Sequence, residues 1–226
     1  MAVFILVPGA WHGAWCWDTI TPLLEAAGHQ ALTPELVPTP PGANPLPFWA
    51  KQIAELAPDG AILVGHSRAG LIISEAATLA PQAISRLVYV TGFLLPGGAS
   101  MESMIARPEA GGTPDYLRPA RGRCLAVAAE AIIPRFYHLA TPKAAKAAAA
   151  RLRPEPLGTF SAAATAPPPH IPRAYIECAE DRVVPLALQR AMQQTLPCTP
   201  VFTLPADHSP FLSMPEQFVA GLLAIL

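Results

Sequence analysis

The stretch AILVGHSRAGLIISEAA, residues 61–77, decides the fold that this sequence predicts. Its first half is a short apolar run, which is typical of a strand buried on both faces of a parallel sheet. Its second half has the pattern of a helix, and the two halves meet at GHSRAG, residues 65–70. A strand that turns at once into a helix projects the central serine, Ser67, away from the sheet.

The sequence matches the pattern G-x-S-x-G except at its last position, where Ala69 replaces the glycine. A glycine, Gly70, follows one residue later. The physical demand is for small residues around a sharp turn, and alanine satisfies it. The turn also places the backbone N–H of Arg68 at a helix N-terminus, where it can stabilise a developing oxyanion. The alternative is a serine with a purely structural place in a loop.

The composition indicates one globular domain over residues 1–226. Of the 226 residues, 52% are hydrophobic and 14% are charged, which excludes a disordered chain. The net charge of −1 argues against nucleic acid or an anionic membrane as a partner.

The four cysteines fit neither a zinc motif nor a dense disulfide framework, so we expect no metal and a reduced, cytoplasmic protein. We interpret the N-terminal MAVFILVPGAW as a buried strand rather than a signal peptide, although a trimmed secreted protein stays open.

Strand and helix patterns alternate along most of the chain. This order predicts an α/β fold, with a mostly parallel sheet flanked by helices. The predicted strands are residues 2–7, 61–65, 86–92, 173–179 and 200–204, and the predicted helices are residues 16–27, 46–57, 68–79, 186–195 and 215–226. The alternation breaks between about residues 100 and 172, where alanine-rich stretches predict an inserted helical cap. Ordinary crossover helices are the alternative.

An acid and a base follow the last two predicted strands. Asp181 comes after RAYIECA, residues 173–179, and His208 comes after PVFTL, residues 200–204. Open α/β sheets bind ligands at the carboxyl ends of their strands. There His208 could deprotonate Ser67, and Asp181 could fix the tautomer of the histidine. The other candidate acids are Glu180 and Asp207.

The loop PGAWHGAWCW, residues 8–17, follows the first strand and predicts a second oxyanion donor. We assign this donor to the backbone N–H of Ala10, whereas His12 is expected to have a structural role. The pocket should be apolar, and its candidate wall residues, each of which could equally belong to the core, are Trp11, Phe93, Leu94, Phe136 and Phe211.

Six stretches between residues 7 and 217 make the chain resemble the α/β-hydrolase superfamily, and within it the group of plant hydroxynitrile lyases and methylesterases with their bacterial esterase relatives. These stretches are VPGAWHGAWCW, LLEAAGHQ, VGHSRAG, YVTGFLLPG, ECAEDRVVP and DHSPFLSMPEQ. The resemblance implies an α/β-hydrolase fold with a small helical cap and no metal or cofactor. It also implies the triad Ser67, Asp181 and His208, with oxyanion donors at Ala10 and Arg68.

Three positions depart from the pattern of this group. Many relatives have histidine where this chain has Pro8. Relatives vary at the residue after the nucleophile, which here is Arg68, and its side chain could pair with an acid or reach the substrate. The lyase branch has a lysine directly after the catalytic histidine, where this chain has Ser209. The departure at Ser209 favours a serine esterase acting on a small-molecule ester, thioester or lactone.

Two other functions stay open as alternatives: a lyase or retro-aldol enzyme on the same scaffold, and a ligand-binding homologue with low turnover. The sequence also leaves open whether the chain is a monomer or a homodimer.

Overall fold

The computed structural model of the protein describes residues 1–40 and 42–226. Its centre is a six-stranded sheet in which every pair of neighbouring strands is parallel. Across the sheet the strands are β2 (Gln30–Leu32), β1 (Val3–Val7), β3 (Ala61–His66), β4 (Ile84–Val90), β8 (Arg173–Cys178) and β9 (Val201–Leu204). The predicted parallel sheet is confirmed, and its central strands are buried because both of their faces are apolar.

Helices flank the sheet. They are α1 (Ile20–Ala26), α2 (Leu46–Leu56), α3 (Ala69–Leu79), α8 (Leu186–Thr195), α9 (Pro210–Ser213) and α10 (Pro215–Leu223). The helix predicted for residues 16–27 is divided into a 3₁₀ turn, Ala14–Trp17, and α1. Pro22 explains the division, because a proline fits the first turn of a helix but not its interior. Within the described residues, no helix is long and apolar enough to cross a membrane.

The insertion between β4 and β8 contains a 3₁₀ turn, Pro108–Ala110, and four short α-helices, α4 (Met101–Ile105), α5 (Ala129–Phe136), α6 (Pro142–Ala149) and α7 (Gly158–Ser161). It also contains an antiparallel sheet that the sequence analysis did not predict, formed by β5 (Leu117–Ala120), β6 (Cys124–Val127) and β7 (Glu155–Pro156). The turn between β5 and β6 has positive φ angles at Gly122 (74°) and Arg123 (58°), as tight hairpins require. The insertion therefore mixes helix and sheet.

The parallel strands bring the candidate functional residues to one edge of the sheet. Ser67 follows β3, Thr91 follows β4, Asp181 follows β8 and His208 follows β9. The loop that contains Ala10 follows β1. Since parallel strands end at the same edge, all five positions gather where open α/β sheets bind ligands.

Candidate active site

The backbone at Ser67 is held in a strained conformation. Its φ angle is 53°, in the left-handed region that side chains other than glycine rarely adopt. The N–H of Ser67 donates to the carbonyl of Val90 at 3.1 Å, and its carbonyl accepts from the N–H groups of Phe93 at 2.9 Å and Gly70 at 3.1 Å. These three bonds offset the strain, which is a common arrangement at functional sites.

The turn needs a glycine at position 70. A Cβ atom at Gly70 would lie 2.3 Å from the carbonyl oxygen of Phe93, which is an impossible contact with backbone. The glycine therefore allows the loop after β4 to pack directly on the start of α3. The same loop donates the Phe93 N–H that supports Ser67.

Asp181 and His208 form a buried hydrogen-bonded pair. Oδ2 of Asp181 lies 2.7 Å from Nδ1 of His208, and both side chains are essentially inaccessible to solvent. Because a carboxylate can only accept, the N–H at Nδ1 donates to it, and Nε2 is the ring nitrogen that can accept a proton. The pair therefore has the tautomer that a general base requires.

Three further donors fix the Asp181 carboxylate. Its Oδ1 accepts from the N–H groups of Val183 at 2.7 Å and Val184 at 2.9 Å, and its Oδ2 accepts from the hydroxyl of Thr91 at 2.5 Å. Thr91 was not predicted as a site residue, although it lies in the stretch YVTG that ends a predicted strand. These donors hold the carboxyl group of Asp181 in one orientation.

The two other candidate acids lie elsewhere. Glu180 is exposed. Asp207 is buried, but its oxygens accept from the N–H groups of Leu139 at 2.9 Å and Ser209 at 3.1 Å and from the hydroxyl of Ser213 at 2.9 Å. Asp207 thus ties the loop after β9 to the insertion, and of the three acids Asp181 is the one bonded to His208.

His12 is bonded at both ring nitrogens. Nδ1 lies 2.9 Å from the carbonyl oxygen of Ala10, and Nε2 lies 2.8 Å from the hydroxyl of Tyr137. The carbonyl can only accept, so Nδ1 is protonated and Nε2 accepts from the tyrosine. Burial lowers the pKa of His12 to about 3, with the backbone bond to Ala10 acting in the opposite direction. His12 is therefore neutral and bonds the loop of residues 8–13, which we call the oxyanion loop after its predicted role, to Tyr137 of the insertion.

The oxyanion loop passes very close to Ser67. A Cβ atom at Gly9 would lie 2.5 Å from Nδ1 of His66 and 3.0 Å from Cβ of Ser67, so this close approach requires glycine. Ala10 and Ser67 line the same cavity. Among residues 1–40 and 42–226, the backbone N–H groups of Ala10 and Arg68 have no acceptor, and both remain free to bind an oxyanion.

The cavity beside Ser67 is apolar. Of the candidate wall residues, Trp11 and Phe93 line it. Residues of the insertion and of the loop after β8 supply most of the remaining wall, among them Met101, Ile105, Tyr116, Leu117, Phe160 and Val184. No local pattern in the sequence shows which face of the insertion covers Ser67, so these wall residues could not be predicted.

Leu94, Phe136 and Phe211 were predicted as pocket walls, but they lie outside the cavity lining and are fully buried. The ring of Phe136 contacts that of His208 edge-on at 5.3 Å, and the ring of Phe211 lies 5.1 Å from that of His66. These aromatic side chains therefore support the histidines from behind the site, and Leu94 belongs to the core.

The side chain of Arg68 is buried beside Glu155, with 3.2 Å between Nε and Oε1. It does not line the cavity beside Ser67.

Ser209 is fully buried, and its hydroxyl has no hydrogen-bond partner among the described residues. Also within that part of the chain, no group of three or more His, Cys, Asp or Glu residues could hold a metal ion.

The chain is similar to known esterases over nearly its whole length. It is 31% identical to a pyrethroid hydrolase from Sphingobium wenxiniae, covering 96% of this chain and 85% of the relative, and 29% identical to methylesterase 7 from Arabidopsis thaliana, covering 98% and 95%. Its fold matches the crystal structure of a pyrethroid hydrolase from Sphingobium faniae with a TM-score of 0.82 and 28% identity, over 99% of this chain and 96% of that one. The family model described as "Alpha/beta hydrolase family" matches residues 4–221. The chain therefore belongs to the alpha/beta hydrolase family.

Proposed function

We propose that the protein is a carboxylic-ester hydrolase that works through an acyl-enzyme on Ser67. The observation that carries this proposal is the buried bond between Asp181 and His208, at the same edge of the sheet as the strained turn of Ser67. The relatives named as a pyrethroid hydrolase and a methylesterase support ester hydrolysis as the reaction.

In the proposed mechanism, the hydroxyl oxygen of Ser67 attacks the ester carbonyl while His208 takes the hydroxyl proton at Nε2. The N–H groups of Ala10 and Arg68 donate to the oxyanion that forms. His208 then returns its proton to the departing alkoxide, which leaves as an alcohol. Water then attacks the acyl-enzyme while His208 takes one of its protons, and His208 returns that proton to the Ser67 oxygen as the carboxylic acid is released.

The lining of the cavity suits an apolar ester. Beside Ser67 the cavity is a narrow cleft of about 30 Å³, and it adjoins an outer groove of about 440 Å³. Both spaces are lined by Ile105, Pro114, Leu117 and Phe160. We propose that the scissile bond lies in the cleft and that a longer apolar group of the substrate extends into the groove.

The lyase alternative has less support. A cyanide leaving group needs a nearby cation, because an unpaired anion is costly to bury. The position after His208 is a neutral serine, Ser209, and the charge of Arg68 is paired with Glu155. We therefore expect no cleavage of mandelonitrile above background.

The four cysteines, Cys16, Cys124, Cys178 and Cys198, are free, and three of them are buried. Free thiols persist in reducing compartments, which supports the cytoplasm as the location that we propose.

The proposed function is tested by incubating the protein with a fluorophosphonate probe and mapping the adduct by mass spectrometry, followed by assays on p-nitrophenyl acetate and butyrate. We expect the adduct on Ser67 and hydrolysis of both esters. Ser67→Ala should lower kcat by about 10⁴ or more while the fold survives. An adduct on another residue, or full esterase activity of Ser67→Ala, would overturn the mechanism.

A further inference from the structure

A buried ion pair joins the residue after Ser67 to the insertion. Nε of Arg68 lies 3.2 Å from Oε1 of Glu155, and the two side chains are only 2% and 5% exposed. Arg68 precedes helix α3, whereas Glu155 begins strand β7 of the insertion. The sequence gives no local signal that these two residues meet.

The pair holds the oxyanion loop on both sides of Ala10. Nη2 of Arg68 donates to the carbonyl of Gly9 at 3.0 Å and approaches that of Pro8 at 3.4 Å. Oε2 of Glu155 accepts from the backbone N–H of Trp11 at 3.3 Å. The residue before Ala10 is thus bonded to the arginine, and the residue after it is bonded to the glutamate.

Other contacts attach the same loop to the insertion. The carbonyl of Trp11 accepts from the N–H of Arg153 at 2.9 Å, and the indole N–H of Trp11 donates to the carbonyl of Leu125 at 2.9 Å. Trp11 itself has a φ angle of 65°, a conformation that only a well-bonded backbone retains. The loop that carries Ala10 is therefore fixed from the insertion as well as from the sheet.

This ion pair is a costly way to stabilise a fold. Burial lowers the pKa of the Arg68 guanidinium, and the charge of Glu155 opposes that shift. Nε is not directed at the carboxylate and Nη1 has no acceptor within the described part of the chain, although the guanidinium lies 4.4 Å from the centre of the Trp49 ring. Well-packed apolar residues commonly stabilise a protein as well as a buried ion pair does. Stability alone therefore does not explain the pair.

We propose that Arg68 and Glu155 are positioning residues for the hydrolysis, which set the Ala10 N–H at the place where the oxyanion forms. This inference rests on the proposed function. Neither side chain lines the cavity beside Ser67, so the two residues act through the loop and not on the substrate. Because the oxyanion exists only in the transition state and the tetrahedral intermediate, the loss of the pair should lower kcat and leave KM nearly unchanged.

The test compares the wild-type protein with Glu155→Gln and with the double variant Arg68→Met/Glu155→Leu. Glu155→Gln keeps an acceptor for the Trp11 N–H but leaves the arginine without its counter-ion. The double variant leaves no buried charge without its counter-ion, so we expect it to be more stable than Glu155→Gln. We expect both variants to lose about 10-fold or more in kcat on p-nitrophenyl butyrate, with KM within about threefold, at a temperature where all the proteins are folded.

A trifluoromethyl ketone distinguishes positioning from a structural role, because it binds serine hydrolases as a tetrahedral anion. Its inhibition constant should rise in the double variant by about the same factor as kcat falls. The matched control is Asp18→Asn/Arg151→Gln, which removes an exposed ion pair of 3.2 Å that also joins the insertion to the body of the protein. The control should keep kcat within about twofold.

A folded double variant with the kcat and ketone affinity of the wild type would overturn the inference. If kcat falls but ketone affinity is unchanged, the pair does not act on the oxyanion site and the inference is also wrong. Failure of the wild-type protein to hydrolyse esters would instead contradict the proposed function.

Discussion

Nε2 of His66 lies 2.8 Å from the backbone carbonyl oxygen of His208. The carbonyl can only accept, so Nε2 carries the proton of His66, and burial holds the pKa of this histidine well below its usual value. The residue that precedes Ser67 in sequence is thus a neutral donor that supports the backbone of the proposed base.

The first prediction tests this support. His66→Leu leaves the buried carbonyl of His208 without its donor, which should cost about 1–3 kcal/mol in the free energy of unfolding. For a chain of this size the loss corresponds to a fall in Tm of very roughly 2–12 °C, measurable by calorimetry. His66→Gln can still donate from its amide and should lose less. Equal Tm values for His66→Leu and the wild type would contradict the role of the bond.

The second prediction separates the two buried aspartates. Asp181→Asn should lower kcat by about 10⁴, because an amide can donate to Nδ1 and so favour the wrong tautomer of His208. Asp207→Asn disturbs the loop after β9 and should mainly lower Tm. Steady-state kinetics and thermal unfolding of both variants provide the comparison. A larger loss of kcat in Asp207→Asn would mean that the acid is misassigned.

The third prediction concerns stability against pH. His12, with a pKa of about 3, and His66 stay neutral in the folded protein, whereas in the unfolded chain they bind protons below about pH 6.5. The unfolded state therefore binds more protons, and the free energy of unfolding should fall by roughly 1.4 kcal/mol per pH unit for each histidine as the pH drops below 6.5.

Urea unfolding between pH 7 and pH 5 measures how the free energy of unfolding depends on pH. His12→Gln should lower this slope by the amount that one histidine contributes, roughly 1.4 kcal/mol per pH unit. A free energy of unfolding that does not change over this range would show that the two rings are protonated in the folded state.

The fourth prediction concerns the outer groove. Ala106 is exposed and lines the groove but not the cleft beside Ser67, so Ala106→Trp should fill the groove without touching the reacting groups. If the indole displaces two methylenes of the acyl chain from the groove, the loss is about 1.6 kcal/mol, which lowers kcat/KM on p-nitrophenyl decanoate by roughly 15-fold. Hydrolysis of the acetate should stay within about twofold.

The control for this variant is Ala147→Trp, which changes an exposed alanine of α6 outside both spaces. An identical chain-length profile for Ala106→Trp, Ala147→Trp and the wild type would place the substrate elsewhere.

The central sheet could be predicted from the sequence because its strands are continuous apolar runs. β2 was missed, since its three residues are only partly buried or exposed and carry no such pattern. The sheet of the insertion was missed for a similar reason. Its strands are two to four residues long, and two of them contain prolines, Pro119 and Pro156, that argue against a strand.

The candidate site could be predicted where function depends on local turns. Ser67, Asp181 and His208 each follow a recognisable strand, whereas Thr91 and Glu155 are defined by contacts between distant parts of the chain. For Phe136 and Phe211 the sequence allowed either a pocket wall or a core position, and their rings pack as core against His208 and His66.

The bonds from Trp11 and His12 to the insertion have a consequence for protein engineering. An insertion that is bonded to the oxyanion loop through Glu155, Leu125 and Tyr137 is not an exchangeable module. A chimera that takes this segment from a relative would need to transfer the partners of residues 11, 12 and 68 with it. Substrate range is therefore more safely altered by single changes at the rim of the groove than by replacing the segment as a whole.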